Sequence, residues 1–138
     1  MNPHQPQSAQ HGLILFAHGA RDPRWSAPFE AVAARVRSAR PGCRLRLAFL
    51  EFMSPSLVEA AAALADEGCA QIDVLPLFLG TGGHLRKDLS LLMNTLRANH
   101  PGLPFSLHPA VGEDEAVTTA MAGVAAALLP AAKEPGTP

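Results

Sequence analysis

The sequence predicts an α/β domain: a four-stranded, mostly parallel sheet with helices on both faces, layered in the flavodoxin-like manner. Three observations predict it. Strand-length apolar runs alternate four times with longer segments of helical periodicity, the pattern of successive strand–helix units. The connections between them are short and punctuated by Gly and Pro. And 33 residues separate His18 from Glu51, and again Glu51 from His84, about the length of one such unit.

Taken in order, residues 1–11 read as a polar tail containing Pro3 and Pro6. Gly12 to Ala17 (GLILFA) is continuously apolar, as a strand covered on both faces must be. A loop from His18 to Pro23 leads to a helix over about 24–39, with Phe29, Val32, Ala33 and Val36 at helical spacing and Pro41-Gly42 as its stop. Residues 44–52 (RLRLAFLEF) form the second strand, whose early polar–apolar alternation suits a place nearer the sheet edge. Ser54 is the expected N-cap of the next helix, with Pro55 at its first position and Gly68 at its end. The third strand covers 72–79, where Pro76 removes a donor and suggests a bulge or a local edge. Gly80 to Gly83 is a loop, followed by a helix over 84–98 that Pro101-Gly102 stops. A short strand over 105–108 and a last helix over 113–129, acidic in its first turn, complete the domain. Residues 130–138 read as a second tail, leaving one domain over 12–129.

Composition narrows the function classes. The chain has 138 residues, 48% hydrophobic and 17% charged, with a formal net charge of −1. That balance gives no basic field for nucleic acid, and no apolar run reaches the roughly 18 residues of a membrane span. Nothing near the N-terminus resembles a secretory signal. Cys43 and Cys69 lack metal-ligand spacing and read as reduced thiols, so a cytoplasmic location is expected.

The chemistry is expected at one edge of the sheet. Right-handed crossovers place every strand-to-helix loop there, and that edge is where open α/β sheets bind ligands. His18, Glu51 and His84 are predicted at equivalent positions along it. Each has a bland reading: His18 as a solvated loop residue, Glu51 as the partner of a buried Arg, His84 as a helix cap. Together, two imidazoles and a carboxylate can hold a borderline metal ion and move protons. The helix start at His84 disfavours a cationic ring, and the neutral ring is the form that binds metal or accepts a proton. His108 closes the fourth strand and is expected to be structural, with a further ligand or substrate contact as the alternative. Arg21 and Arg24 flank His18, and Arg86 and Lys87 follow His84, partly offset by Asp22 and Asp88. Such cations suit a carboxylate- or phosphate-bearing ligand, or are simply solvated helix ends. Nucleotide motifs fail: Leu85 stands where the last glycine of GxGxxG belongs, and no P-loop Gly-Lys-Ser/Thr is present. Neither is a Gly-x-Ser-x-Gly elbow, and Ala17 replaces the Arg expected before His-Gly in a phosphohistidine phosphatase.

Three segments carry a family resemblance: Phe16-Ala17-His18-Gly19, the run Ala48 to Leu57 (AFLEFMSPSL), and the run Leu75 to Asp88 (LPLFLGTGGHLRKD). With them the chain resembles the short CbiX-type sirohydrochlorin chelatases, class II tetrapyrrole chelatases, over roughly residues 12 to 129. The resemblance implies a lyase that inserts Co²⁺ or Fe²⁺, with Ni²⁺ a further option, into a reduced tetrapyrrole bearing several carboxylates. It implies His18 and His84 as metal ligands and proton acceptors, with Glu51 assisting as proton relay. Arg21, Arg24, Gly82, Gly83 and Arg86 become the expected contacts to the tetrapyrrole carboxylates. The divalent metal is then a substrate, with no tightly bound cofactor, and short members pair as homodimers around a central cleft. Two positions depart from the pattern: Ala20 where many relatives have Ser, and Ser90 where many have Pro. Neither removes an expected ligand. The alternative reading is a non-catalytic metal or tetrapyrrole carrier using the same edge.

Overall fold

The computed structural model describes residues 10–132 and Gly136. Most of both predicted tails lies outside the described residues, but His11 does not belong to a tail. It opens the first strand, β1 (His11–Ala17). The remaining elements follow in the predicted order: α1 (Ala27–Ala39), β2 (Arg44–Phe49), α2 (Leu57–Asp66), β3 (Gln71–Pro76), α3 (Gly83–Asn99), β4 (Phe105–Leu107) and α4 (Glu115–Ala126). Short 3-10 turns at Pro23–Ser26 and Val111–Glu113 precede α1 and α4. All four strands are parallel, in the order β2-β1-β3-β4. The chain therefore leaves β1 toward one side, returns over it after β2, and builds outward from β3. The switch point of such a sheet lies between the carboxyl ends of β1 and β3.

α1 begins at Ala27 rather than 24 and α4 covers Glu115–Ala126 rather than 113–129, each start being taken by a 3-10 turn; three further boundaries differ from expectation. β2 stops at Phe49, and Leu50–Phe52 bend away from the ladder. The N-cap of α2 is Ser56, not Ser54: its hydroxyl accepts from the Glu59 N–H at 3.1 Å, and the Glu59 carboxylate accepts from the Ser56 N–H at 2.9 Å. This reciprocal box satisfies two otherwise orphaned donors, which a helix starting at Pro55 could not do. β3 ends at Pro76; β1 accompanies it to that residue but β4 only to Val74, so Pro76 stands at a local edge, as its missing donor suggests. The proline sits in the last strand position, without a bulge, and the Leu77 N–H continues the bonding to the Phe16 carbonyl at 2.8 Å. β2 is an edge strand, as its alternation implies.

The two faces of the sheet are unequally covered. On one, Ile14, Phe16, Ile72 and Val74 pack against α2 and α3 through Leu57, Leu64, Met93 and Leu96, all essentially buried. On the other, Leu15 and Leu45 pack against Ala33 of α1, a much smaller cluster. Helices are expected on both faces, yet α4 buries no residue and rests chiefly on the Val111–Glu113 turn before it. A groove of about 500 Å³ is left open along this second face, floored by Leu13, Leu45 and Leu75 and walled by Val36.

Asp73 stands in that groove between two imidazoles. The His11 Nε2 bonds Asp73 Oδ2, and the His108 Nε2 bonds Asp73 Oδ1 at 2.9 Å. His108 thus has the expected structural part. Burial alone would push the Asp73 carboxyl up, but the hydrogen bonds from His108 and His11 outweigh it and hold the group below the ordinary value of 3.8. A carboxyl whose folded value is depressed contributes stability above its unfolded pKa and loses it as pH falls through the folded value. Asp73→Asn should therefore flatten the acid limb of stability against pH below about pH 4, as read from urea midpoints across a pH series.

Candidate active site

The strand ends deliver the predicted trio to one edge, but unequally. His18 is the first residue after β1 and Glu51 the second after β2, whereas His84 lies eight residues past β3, in the first turn of α3. The equal 33-residue spacing thus reflects units of similar length, not identical placement. The apolar Leu77-Phe78-Leu79 prolongs the look of a strand, but Pro76 ends it and the chain runs on as loop.

The loops after β1 and β2 are bonded to each other beyond the last ladder residues. The Leu50 N–H donates to the Ala17 carbonyl at 2.9 Å and the Glu51 N–H to the His18 carbonyl at 3.1 Å. Gly19 makes this approach possible. Its φ of +94° suits glycine, and a Cβ there would overlap the Glu51 carbonyl oxygen. Phe78, buried on the loop after β3, meets the exposed His18 ring edge-on at 5.5 Å between centroids. His18 is thereby held between the loops of its two neighbouring strands.

Glu51 is exposed, and no ion pair engages it among the described residues, so the buried Arg–Glu reading fails. The Arg–Glu pairs lie elsewhere: Arg44 and Arg46 both meet Glu67. His84 is exposed, and the N-cap of α3 is Gly82, which has no side chain to cap with. Among the described residues no three His, Cys, Asp or Glu side chains are close enough to cage a metal ion.

The expected anion contacts separate into engaged and available groups. Arg24 is turned onto Asp22 at 2.9 Å, and that guanidinium holds the Asp22 carboxyl below its ordinary value. Arg86 bonds the Thr81 hydroxyl at 3.1 Å across the loop before α3. Gly82 and Gly83 are exposed, with open space where a Cβ would stand. Arg21 lies over the Phe52 ring at 4.7 Å. Sequence reasoning missed Phe52, whose backbone carries a positive φ of 65°. It missed Asp73 as well, because its two histidine partners are distant in the chain.

The CbiX family model matches residues 12–126, and the chain belongs to that family. It is 27% identical over 88 residues to the sirohydrochlorin cobaltochelatase of Methanocaldococcus jannaschii, a match spanning 64% of this chain and 62% of that protein, less than two thirds of its length. The crystal structure of a putative cobalamin biosynthesis CbiX protein from Marinobacter aquaeolei superposes with a TM-score of 0.77 at 32% identity, covering 86% of this chain and 96% of that one. The sirohydrochlorin chelatase SirB of Bacillus subtilis subspecies spizizenii, solved in complex with cobalt, superposes with a TM-score of 0.68 at 25% identity, covering 83% of this chain and 49% of SirB.

The Gly19–Glu51 contact yields a controlled test. Gly19→Ala should destabilise the fold by about 2 kcal/mol or more, since strain at positive φ adds to a backbone overlap. Gly42→Ala, also at positive φ (+80°) but in open space, should lose only the strain, about 1–2 kcal/mol. Paired urea denaturation curves read the difference.

Proposed function

We propose that this chain is a sirohydrochlorin chelatase, a lyase that inserts Co²⁺ or Fe²⁺, and in some settings Ni²⁺, into the reduced tetrapyrrole. The observation that carries the reading is the backbone pairing of the His18 and Glu51 loops at the carboxyl edge, with β3, whose loop leads to His84, on the other side of β1. Insertion requires the metal to shed ligands and the macrocycle to lose two N–H protons. His18 and His84 hold the incoming ion through a ring nitrogen each; as the ion passes to the macrocycle those nitrogens are freed to take the two pyrrole protons, and Glu51, solvent-exposed and without an ion-pair partner among the described residues, passes them to water. Arg21, Arg86 and the backbone around Gly82 and Gly83 receive peripheral carboxylates, with Arg24 joining once released from Asp22. The two free thiols suit a reducing, cytoplasmic setting.

Anaerobic mixing with sirohydrochlorin and Co²⁺ or Fe²⁺, followed by absorbance, tests the reading. Wild type should accelerate loss of the free-base spectrum. His18→Ala and His84→Ala should each lower kcat/KM by about 10²–10⁴, and Glu51→Gln by about 10². Tight binding without acceleration would instead make the protein a carrier.

The second part of the reading is a homodimer. Val117, Met121 and Val124 repeat at i, i+4 and i+7 along α4 and Leu128 follows in the turn after it, the last three being 52%, 71% and 85% exposed. Among the described residues this stripe has no partner, and the groove over Leu13 and Leu75 has no cover. A second copy supplies each with the other, in the way amphipathic helices bury their apolar face. Sedimentation should give a dimer for wild type and a monomer for Val124→Asp. A wild-type monomer at micromolar concentration would reject the pairing.

A further inference from the structure

The turn that carries Glu51 continues into a residue that neither folding nor the proposed chemistry explains. Phe52 is the one non-glycine residue at positive φ among the described residues, at 65°. The Met53 N–H donates to the Glu51 carbonyl at 2.8 Å, closing a three-residue turn around it. With a positive φ at its centre this is the rare, strained hand of γ-turn. Bulky aromatic residues avoid that region, where glycine or asparagine is the usual occupant. Nor does burial offset the strain, because Phe52 is 57% exposed. Strain of this kind persists where surroundings over-determine it, and it gathers at ligand clamps and active sites.

The surroundings do over-determine it. Leu50 and Glu51 are tied to the Ala17 and His18 carbonyls, and Gly19 abuts the Glu51 carbonyl. Phe52 must therefore project from the same clamped turn that presents Glu51, beside His18. Over its ring lies the Arg21 guanidinium at 4.7 Å, a cation–π contact that joins the loops after β1 and β2 a second time. Arg21 is itself exposed, with no carboxylate partner among the described residues. The edge thus displays an exposed aromatic ring with a planar cation over one of its faces and its other face uncovered by that cation.

We propose that Phe52 and Arg21 form a positioning platform for a planar, conjugated polycarboxylate: the ring lies against the macrocycle while the guanidinium takes a peripheral carboxylate. Phe52 is a positioning residue, touching the substrate's face but no reacting atom. This inference rests on the chelatase reading, and its test separates the two. Phe52→Gly removes the ring and relieves the backbone, so its melting temperature should equal or exceed that of wild type. KM for sirohydrochlorin should rise about tenfold, with kcat changed less than about threefold and KM for Co²⁺ unchanged, since one aromatic contact is lost and no proton-transfer group. Phe52→Trp should restore the wild-type KM. Binding of metal-free sirohydrochlorin, followed by quenching of the single tryptophan, Trp25, should weaken in parallel for Phe52→Gly and Arg21→Gln.

A folded Phe52→Gly with wild-type KM and wild-type affinity overturns the platform while leaving the chelatase reading intact. So does a Phe52→Gly that sediments as a monomer while wild type is a dimer, because the ring would then serve an interface. If wild type binds without turnover, the chelatase reading fails and the affinities alone decide the platform. If wild type neither binds nor turns over sirohydrochlorin, both fail.

Discussion

Everything at the carboxyl edge depends on one close approach, that of Gly19 to the Glu51 carbonyl. Parallel strands in register end together, but their loops ordinarily diverge toward their own helices. Here two backbone hydrogen bonds carry the pairing of β1 and β2 past the last strand residues, and only a residue without a side chain lets the turns touch. The result is a rigid frame around His18, braced on its other side by Phe78 from the loop after β3. A metal-transfer site needs this combination: weak, open coordination with ligands whose positions do not wander.

The opposite face of the sheet shows the other constraint, that of size. One face has a complete two-helix cover, while the second has α1 alone. An apolar groove and an apolar helix in one chain, neither serving the other, make half of a solution. The Asp73 cluster with His11 and His108 lines that open groove, away from the loops that follow the strands.

Much of this was legible in the sequence. The interior strands read as unbroken apolar runs because both sheet faces are meant to be covered, and β2 betrayed its edge position through alternation. That His18 and Glu51 follow strand ends was legible because strand-to-helix loops in such a sheet share one edge. Boundaries failed where two local rules competed. Ser54-Pro55 and Ser56-x-x-Glu59 both announce a helix start, and the reciprocal hydrogen bonds of the second prevail. Leu77 to Leu79 have strand composition, but the fold uses Phe78 as a wall beside His18. What could not be read are features lacking a local signature. Asp73 finds His11 and His108 only through strand register. The positive φ of Phe52 contradicts its residue type, being imposed by contacts made from another loop.

If the protein is the proposed chelatase, His18 and His84, and not the other histidines, hold the divalent metal. Titration of the ¹⁵N-histidine-labelled protein with Co²⁺ under anaerobic conditions, followed by imidazole resonances assigned through single His→Gln variants, tests it most directly. The account predicts that the His18 and His84 resonances broaden and shift together at the lowest Co²⁺ additions, ahead of those of His11 and His108. First and strongest response from His11 and His108, with His18 and His84 unchanged, would move the metal to the Asp73 groove and contradict the site built here.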